Sequence, residues 1–342
     1  MGLELFILNF SCLKINVAAF IFLSHYTART VQLIIMMLQV KLILCDMHFR
    51  FQKVLKNEIT IIYRAETYGP VCRINILHWI ILCITCPEAT KEILMSHKYP
   101  KTEFIYKRLS HLFGQRFLGN GLLTALDHGL WHKQRRLMNP AFYNLYLSDL
   151  MEAFNEKAED LMGKLADEAD NNTVANLQHL AYRVRLSPLQ IPEKSHIILR
   201  KEVDDVIGMK YNISYEDLGK LTYLSQVLKE TLRLYPTAPA VFRKIPEDTA
   251  IDGLHVPGGV SCIFSSFVAG RLEKFSKEPL TFDSARFHPD RVLFFQMEAK
   301  VVMVKLVQRF DFTLAPGQTF DIQDSALLGP KNGVFCFVKH RK

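Results

Sequence analysis

The stretch Lys229-Glu230-Thr231-Leu232-Arg233-Leu234-Tyr235-Pro236 decides how the rest of the chain is read. Glu230 and Arg233 stand three residues apart, so on a helix they share one face and their side chains meet. Leu221, Leu224, Leu228 and Leu232 recur at helical spacing just before and through this stretch. That pattern predicts a core-facing helix whose two charges are partly desolvated. Pro236 closes it, because proline has no N–H to donate and its ring clashes with the preceding turn. Alone, a Glu-x-x-Arg pair is matched by many solvated surface salt bridges worth about 1 kcal/mol or less. The neighbouring segments give this one its meaning.

Downstream follow Arg243, then Asp252-Gly253-Leu254-His255-Val256-Pro257-Gly258, then Pro279-Leu280-Thr281-Phe282-Asp283-Ser284-Ala285-Arg286-Phe287. Upstream stands Trp131-His132-Lys133-Gln134-Arg135-Arg136. In this order the segments resemble the cytochrome P450 superfamily of heme-thiolate monooxygenases. Within it the resemblance is nearest to sterol hydroxylases, through Tyr223-Leu224-Ser225-Gln226-Val227-Leu228-Lys229-Glu230, Phe154-Asn155-Glu156-Lys157-Ala158-Glu159 and Trp131 to Arg136. It covers Tyr68 to Arg183, thinly Leu189 to Gly208, and Tyr215 to the last residue. The resemblance implies a mainly α fold with a small β portion, here internally truncated. It also implies heme as cofactor, molecular oxygen, a sterol substrate, NADPH-cytochrome P450 reductase as electron donor, and the cytoplasmic face of the endoplasmic reticulum membrane.

By the same resemblance, Glu230, Arg233 and Arg286 form a three-charge network bracing the fold beside the heme. The proline of the family's Phe-x-Pro-x-Arg-Phe segment is Ser284 here, a departure expected to loosen that turn. Trp131 and Arg135 match a Trp-x-x-x-Arg helix that holds a heme propionate, and Arg243 matches a second propionate-binding arginine. The physical fit is sound, since an i, i+4 pair puts an indole N–H and a guanidinium on one face, where both can donate to a carboxylate. Leu118 and Leu123, in the glycine-punctuated stretch from Phe113, match the segment that caps the family's substrate pocket.

Two departures weigh against activity. The family binds iron through a cysteine in a Phe-x-x-Gly-x-Arg-x-Cys-x-Gly loop ahead of its last long helix. Here Phe287 is followed by His288-Pro289-Asp290-Arg291-Val292 and then at once by Leu293-Phe294-Phe295-Gln296-Met297-Glu298-Ala299-Lys300, which matches that helix. No cysteine occurs between Cys262 and Cys336. The oxygen-activating helix, with its Ala/Gly-Gly-x-Asp/Glu-Thr motif, has no counterpart either; the sequence passes from Arg183 through Ser187-Pro188 to Pro192. The alternative to an enzyme is therefore a catalytically inactive splice product, gene-model fragment or decayed paralogue.

No other residue offers itself as a metal ligand. Cys336 lies in the strand-forming run Gly333-Val334-Phe335-Cys336-Phe337-Val338, where its thiol packs or faces solvent. Cys83 and Cys86 form the sole Cys-x-x-Cys, lack a second pair at ligand spacing and read as two buried thiols. Seven cysteines without a disulfide framework suit a reducing compartment. His128 and His132 are four apart near a helix start with Gly129 between them, and read as a solvated end.

The chain of 342 residues is 49% hydrophobic, enough for a large core, with a formal net charge of +8. Its lysines and arginines are dispersed and no basic-aromatic module stands out, so an acidic membrane surface or redox partner suits this charge better than nucleic acid. Residues 1–60 are an apolar segment of uncertain origin and 61–342 the truncated family domain. Leu3 to Leu23 is apolar but broken by Glu4, Asn9, Lys14 and Asn16, which makes insertion costly and favours interfacial association with a membrane. Strands are predicted at Val71 to Leu77 and in hairpins from Phe312 to Arg341, and helices from Pro87, over Leu147 to Leu165 and over Met297 to Phe310.

Overall fold

The computed structural model describes residues 58–76, 79–112, 115–142, 144–177, 192–287, 294–318, 322–324 and 328–341. All of them belong to the compact unit Glu58–Lys342. The expectations for residues 1–57, and for the two junctions at 178–191 and 288–293, lie outside the described residues.

The order of elements begins with helix α1 (Glu58–Tyr68), strands β1 (Val71–Ile76) and β2 (Trp79–Ile84), α2 (Pro87–Met95) and α3 (Glu103–Ser110). A two-residue ribbon, β3 (His111–Leu112) with β4 (Gln115–Arg116), leads to α4 (His128–Met138), the long α5 (Asn144–Asp170) and β5 (Val174–Asn176). Then come α6 (Glu193–Val206), α7 (Tyr215–Lys220), α8 (Thr222–Leu234), β6 (Ala240–Lys244), the β7–β8 ribbon (Thr249–Ile251, Leu254–Val256), β9 (Ser261–Ser265) and α9 (Ser266–Ala269). Helix α10 (Phe294–Arg309) precedes β10 (Phe310–Leu314), β11 (Ile322–Asp324), β12 (Leu328–Pro330) and β13 (Phe335–His340). Helix is the larger part and strand the smaller.

One sheet has the order β1-β2-β9-β6, with β2 and β9 parallel and the other pairs antiparallel. Strand β1 obeys the two-residue period, with Cys72 and Ile74 buried and Arg73 and Asn75 exposed, whereas the inner strand β9 is buried from Cys262 to Ser265. A second sheet runs β10-β13-β5. The hairpins expected in the last thirty residues resolve differently. β10 pairs with β13, and the short β11–β12 hairpin is inserted between them in sequence. Tight turns at Pro316-Gly317 and Lys331-Asn332-Gly333 are local signals, whereas the β10–β13 pairing is set by burial of Phe310, Cys336 and Val338 in the main core.

That core joins α5, α6, α8 and α10 to the second sheet. Helix α5 extends past both predicted ends, and α10 starts three residues before its predicted start. Helix α8 buries Leu224, Val227, Leu228, Thr231 and Leu234, together with Glu230. Its first turn has no cap of its own. The Glu202 carboxylate of α6 accepts instead from the N–H groups of Tyr223 (2.6 Å) and Leu224 (2.8 Å), placing an anion at the positive end of the helix dipole.

Helix α10 carries two fully buried lysines, Lys300 and Lys305. Lys300 Nζ donates to the carbonyl of Leu218 (2.8 Å), in the last turn of α7. Burial, partly offset by Glu202, lowers its pKa from 10.5 to about 8. Between those two values the unfolded chain binds more protons than the folded one, so stability rises as the pH rises from about 8 towards 10.5. Below that window both states are charged and the full cost, roughly 3 kcal/mol, is borne. Urea unfolding at pH 8 and pH 10 should show this rise in the wild type and a smaller rise in Lys300→Met; equal rises would mean that the amine titrates normally.

Candidate functional site

Glu230 is fully buried, and its carboxylate accepts two bonds from Arg233, Nε to Oε2 at 2.7 Å and Nη2 to Oε1 at 2.8 Å. Oε1 also accepts from the Asp283 backbone N–H (2.8 Å) and lies 3.5 Å from Arg286 Nε. Arg233 reaches on to the carbonyls of Gly270 and Pro279, at 2.5 and 2.7 Å, and Arg286 Nη2 to that of Glu278 at 3.1 Å. The fork thus ties α8 to the chain from Gly270 to Arg286. Gly270 is obligatory there: a Cβ would meet the Arg233 carbonyl at 2.8 Å. The Ser284 turn is not open. Ser284 is buried at the start of a 3-10 turn, and Asp283 caps that turn by accepting from the Ala285 N–H.

Helix α4 presents Trp131 and Arg135. Asp127 caps it, accepting from the Leu130 N–H at 2.6 Å, and Gln134 Nε2 ties it to the Asn120 carbonyl of the preceding loop. None of its eleven residues is buried. Trp131 is half-buried with its ring 5.8 Å from His128, Arg135 is exposed, and Leu130, Leu137 and Met138 are exposed as well. His128 Nε2 lies 3.0 Å from His97 Nδ1. Among the described residues no group of three or more His, Cys, Asp or Glu side chains is arranged to hold a metal. Leu118 and Leu123 are exposed on the loop before α4.

Arg243 is half-buried on β6, and its Nη1 donates to the Phe242 carbonyl at 2.9 Å. The connection between β6 and the α4 loop runs through Lys101. Lys101 forms a β-bridge with Arg243, and its Nζ donates to the carbonyls of Leu122 and Leu123, both at 2.8 Å, and of Ala125 at 3.1 Å. Burial, and then the charge of Arg243, lower the Lys101 pKa to about 8. The three carbonyls take up the donors of Lys101, so it is the Arg243 guanidinium on this seam that could still donate to an anionic group. Sequence reasoning missed Lys101: its partners are more than twenty residues away and nothing in Tyr99-Pro100-Lys101 announces them.

The five described cysteines are all buried and free. Cys336 pairs with Leu314 on one side and Ala175 on the other, its Sγ 3.8 Å from the Ala175 carbonyl, and burial pushes its thiol up to about 12. Cys86 Sγ donates to Glu88 Oε2 at 3.1 Å. Cys72, Cys83 and Cys262 lie within the four-stranded sheet. N–H donors are thus present on α4 and β6, while four of the described thiols lie on sheet strands and that of Cys86 bonds Glu88 at the start of α2. Trp131, Arg135 and Arg243 carry donors of a kind that would suit heme propionates, and the five described cysteines are buried.

The model of the family described as cytochrome P450 matches residues 46–187 and 197–296. The chain belongs to the cytochrome P450 family. Human cytochrome P450 4B1 is 29% identical over 194 residues, covering 50% of this chain and 37% of that protein. Rat cytochrome P450 4V2 is 25% identical over 228 residues, covering 59% and 42%. Drosophila melanogaster cytochrome P450 6a9 is 31% identical over 170 residues, covering 41% and 34%. The chain thus spans well under half the length of these curated relatives. The crystal structure of a cytochrome P450 (CYP102L1) superposes with a TM-score of 0.69 over 84% of this chain and 98% of that one, at 13% identity, a likeness of fold alone. The P450 fold accounts for the mainly helical layout with its small sheets, and the family as such implies heme and monooxygenase chemistry. Among the described residues no helix is long and apolar enough to cross a membrane.

Proposed function

We propose that this chain is a P450-family scaffold that keeps donors for heme propionates and does not itself carry out thiolate-driven oxygen activation. The observation that supports it is the disposition of cysteine: the five described thiols are all buried, and the residues between Phe287 and Phe294 include none. The family match breaks between residues 187 and 197 and stops at 296, close to both sequence junctions. A thiolate ligand is what drives O–O cleavage in this chemistry, and without it bound oxygen is not activated.

The second reading is a heme-thiolate monooxygenase of cholesterol 24-hydroxylase type, hydroxylating a sterol side chain with electrons from NADPH-cytochrome P450 reductase at the endoplasmic reticulum membrane. The segments Tyr223 to Glu230, Phe154 to Glu159 and Trp131 to Arg136 favour it, as does the Glu230 fork. One experiment separates the two. Purified chain titrated with hemin, then reduced under carbon monoxide, should bind weakly and in a salt-sensitive way through Trp131, Arg135 and Arg243. It should lack the red-shifted band of a ferrous thiolate heme. A clear band would overturn the scaffold reading, and its loss in Cys336→Ala would name the ligand.

A further inference from the structure

We propose that Cys72 and Cys83 are a redox-active pair that a peroxide joins into a cross-strand disulfide, stapling the β1–β2 hairpin at the edge of the four-stranded sheet. The two residues are direct Cα partners in the antiparallel register. Residues so opposed lie about 4.5–5.5 Å apart at Cα, inside the roughly 4.4–6.8 Å span that disulfides occupy. Directly opposed residues of an antiparallel pair carry their side chains on the same face, so the two thiols are neighbours. The competing pairings are poorly placed. Cys86 is engaged with Glu88, and Cys262 is the Cα partner of Leu82, which puts it on the opposite face from Cys83. The Cys-x-x-Cys spacing of Cys83 and Cys86 is thus incidental, and the partner of Cys83 is eleven residues upstream on the neighbouring strand.

Cys72 is the thiol that ionises more readily: the neighbouring Cys83 lowers its pKa against the opposing effect of burial, with help from the Arg64 guanidinium, while the neighbouring Cys72 and burial raise the Cys83 thiol. Arg64 is held there by its Nη1 bond to the Arg73 carbonyl at 3.1 Å. The Cys72 thiolate attacks one oxygen of hydrogen peroxide, the O–O bond breaks, and hydroxide takes up the displaced proton, leaving a sulfenic acid and water. The Cys83 sulfur then attacks that sulfenic sulfur, the S–O bond breaks, and the Cys83 proton leaves with the hydroxyl as a second water. Two thiols lose two electrons and two protons, and one peroxide becomes two waters. Both thiols are buried, but β1 is the outer strand of its sheet, and an edge strand opens locally at less cost than the core.

The test uses the purified chain under native conditions: hydrogen peroxide, alkylation of remaining thiols, digestion and mass spectrometry. The expected product is a cross-linked peptide pair joining Cys72 to Cys83, reversed by dithiothreitol and retained in Cys262→Ala. Cys83 should stay alkylatable in Cys72→Ser. The wild-type peptide map reads the pairing whether or not that variant folds. Linkage of Cys83 to Cys86 or Cys262, oxidation halting at a Cys72 sulfur acid, or both thiols alkylated as in the untreated protein would each overturn the proposal.

Discussion

Replacing Glu230 by alanine should lower unfolding stability by roughly 3–5 kcal/mol, because it strands two cations in the interior. Arg233 is only 9% exposed and Arg286 17%, so water cannot replace the lost carboxylate. The Asp283 N–H also loses its acceptor, and the turn that Asp283 caps loses its tie to α8. Glu230→Gln, which keeps an acceptor and discards the charge, should fall between the two. Chemical denaturation with one probe in the helices and another in the sheets measures this, and an unchanged midpoint for Glu230→Ala would show that the fork carries no weight.

A second carboxylate deletion, Glu159→Ala, is expected to cost somewhat less, roughly 2–4 kcal/mol. Glu159, on α5, accepts from Lys305 of α10 and bidentately from Arg309 at 2.7 and 2.8 Å. Burial opposes its ionisation, but the bonds from Arg309 and Lys305 win and hold its pKa below the ordinary value. Its contribution is therefore present above the ordinary carboxylate pKa and is lost as the pH falls through the depressed one. Lys305 is fully buried but keeps the Tyr211 carbonyl (2.8 Å) and ring face, while Arg309 is 32% exposed. Those residual partners are why the loss is smaller than at Glu230. Thermal melts of Glu159→Ala from neutral pH to well below the ordinary carboxylate pKa should converge on the wild type at the acid end; parallel curves would contradict the assignment.

What was legible in the sequence was local. The helix through Glu230, its termination at Pro236 and the i, i+3 pair follow from spacing alone, and the structure adds only which carbonyls Arg233 reaches. The half-buried strand at Val71 follows from alternation. The illegible part joins residues far apart. Lys300 and Lys305 flank an all-round apolar run, Val301 to Val304, and that run was the available signal that their amines are buried. Their acceptors at Leu218, Glu159 and Tyr211 could not be read from it. Cys83 and Cys86 are the two buried thiols their spacing suggests, but that Cys72 faces Cys83 is not legible, because a motif reads along the chain whereas a sheet joins across it.

The Lys305–Glu159 and Arg309–Glu159 links span 146 and 150 residues of sequence. During synthesis Glu159 leaves the ribosome long before either cation does, and α5 spends that interval with an unpaired carboxylate beside an uncovered apolar face. The main core, to which α10 contributes Met297 through Val307, can close only after α10 has been synthesised. Contacts of such long range slow folding and keep apolar surface of the nascent chain exposed for longer. A polypeptide ending before Phe294 would lack the helix that covers α5.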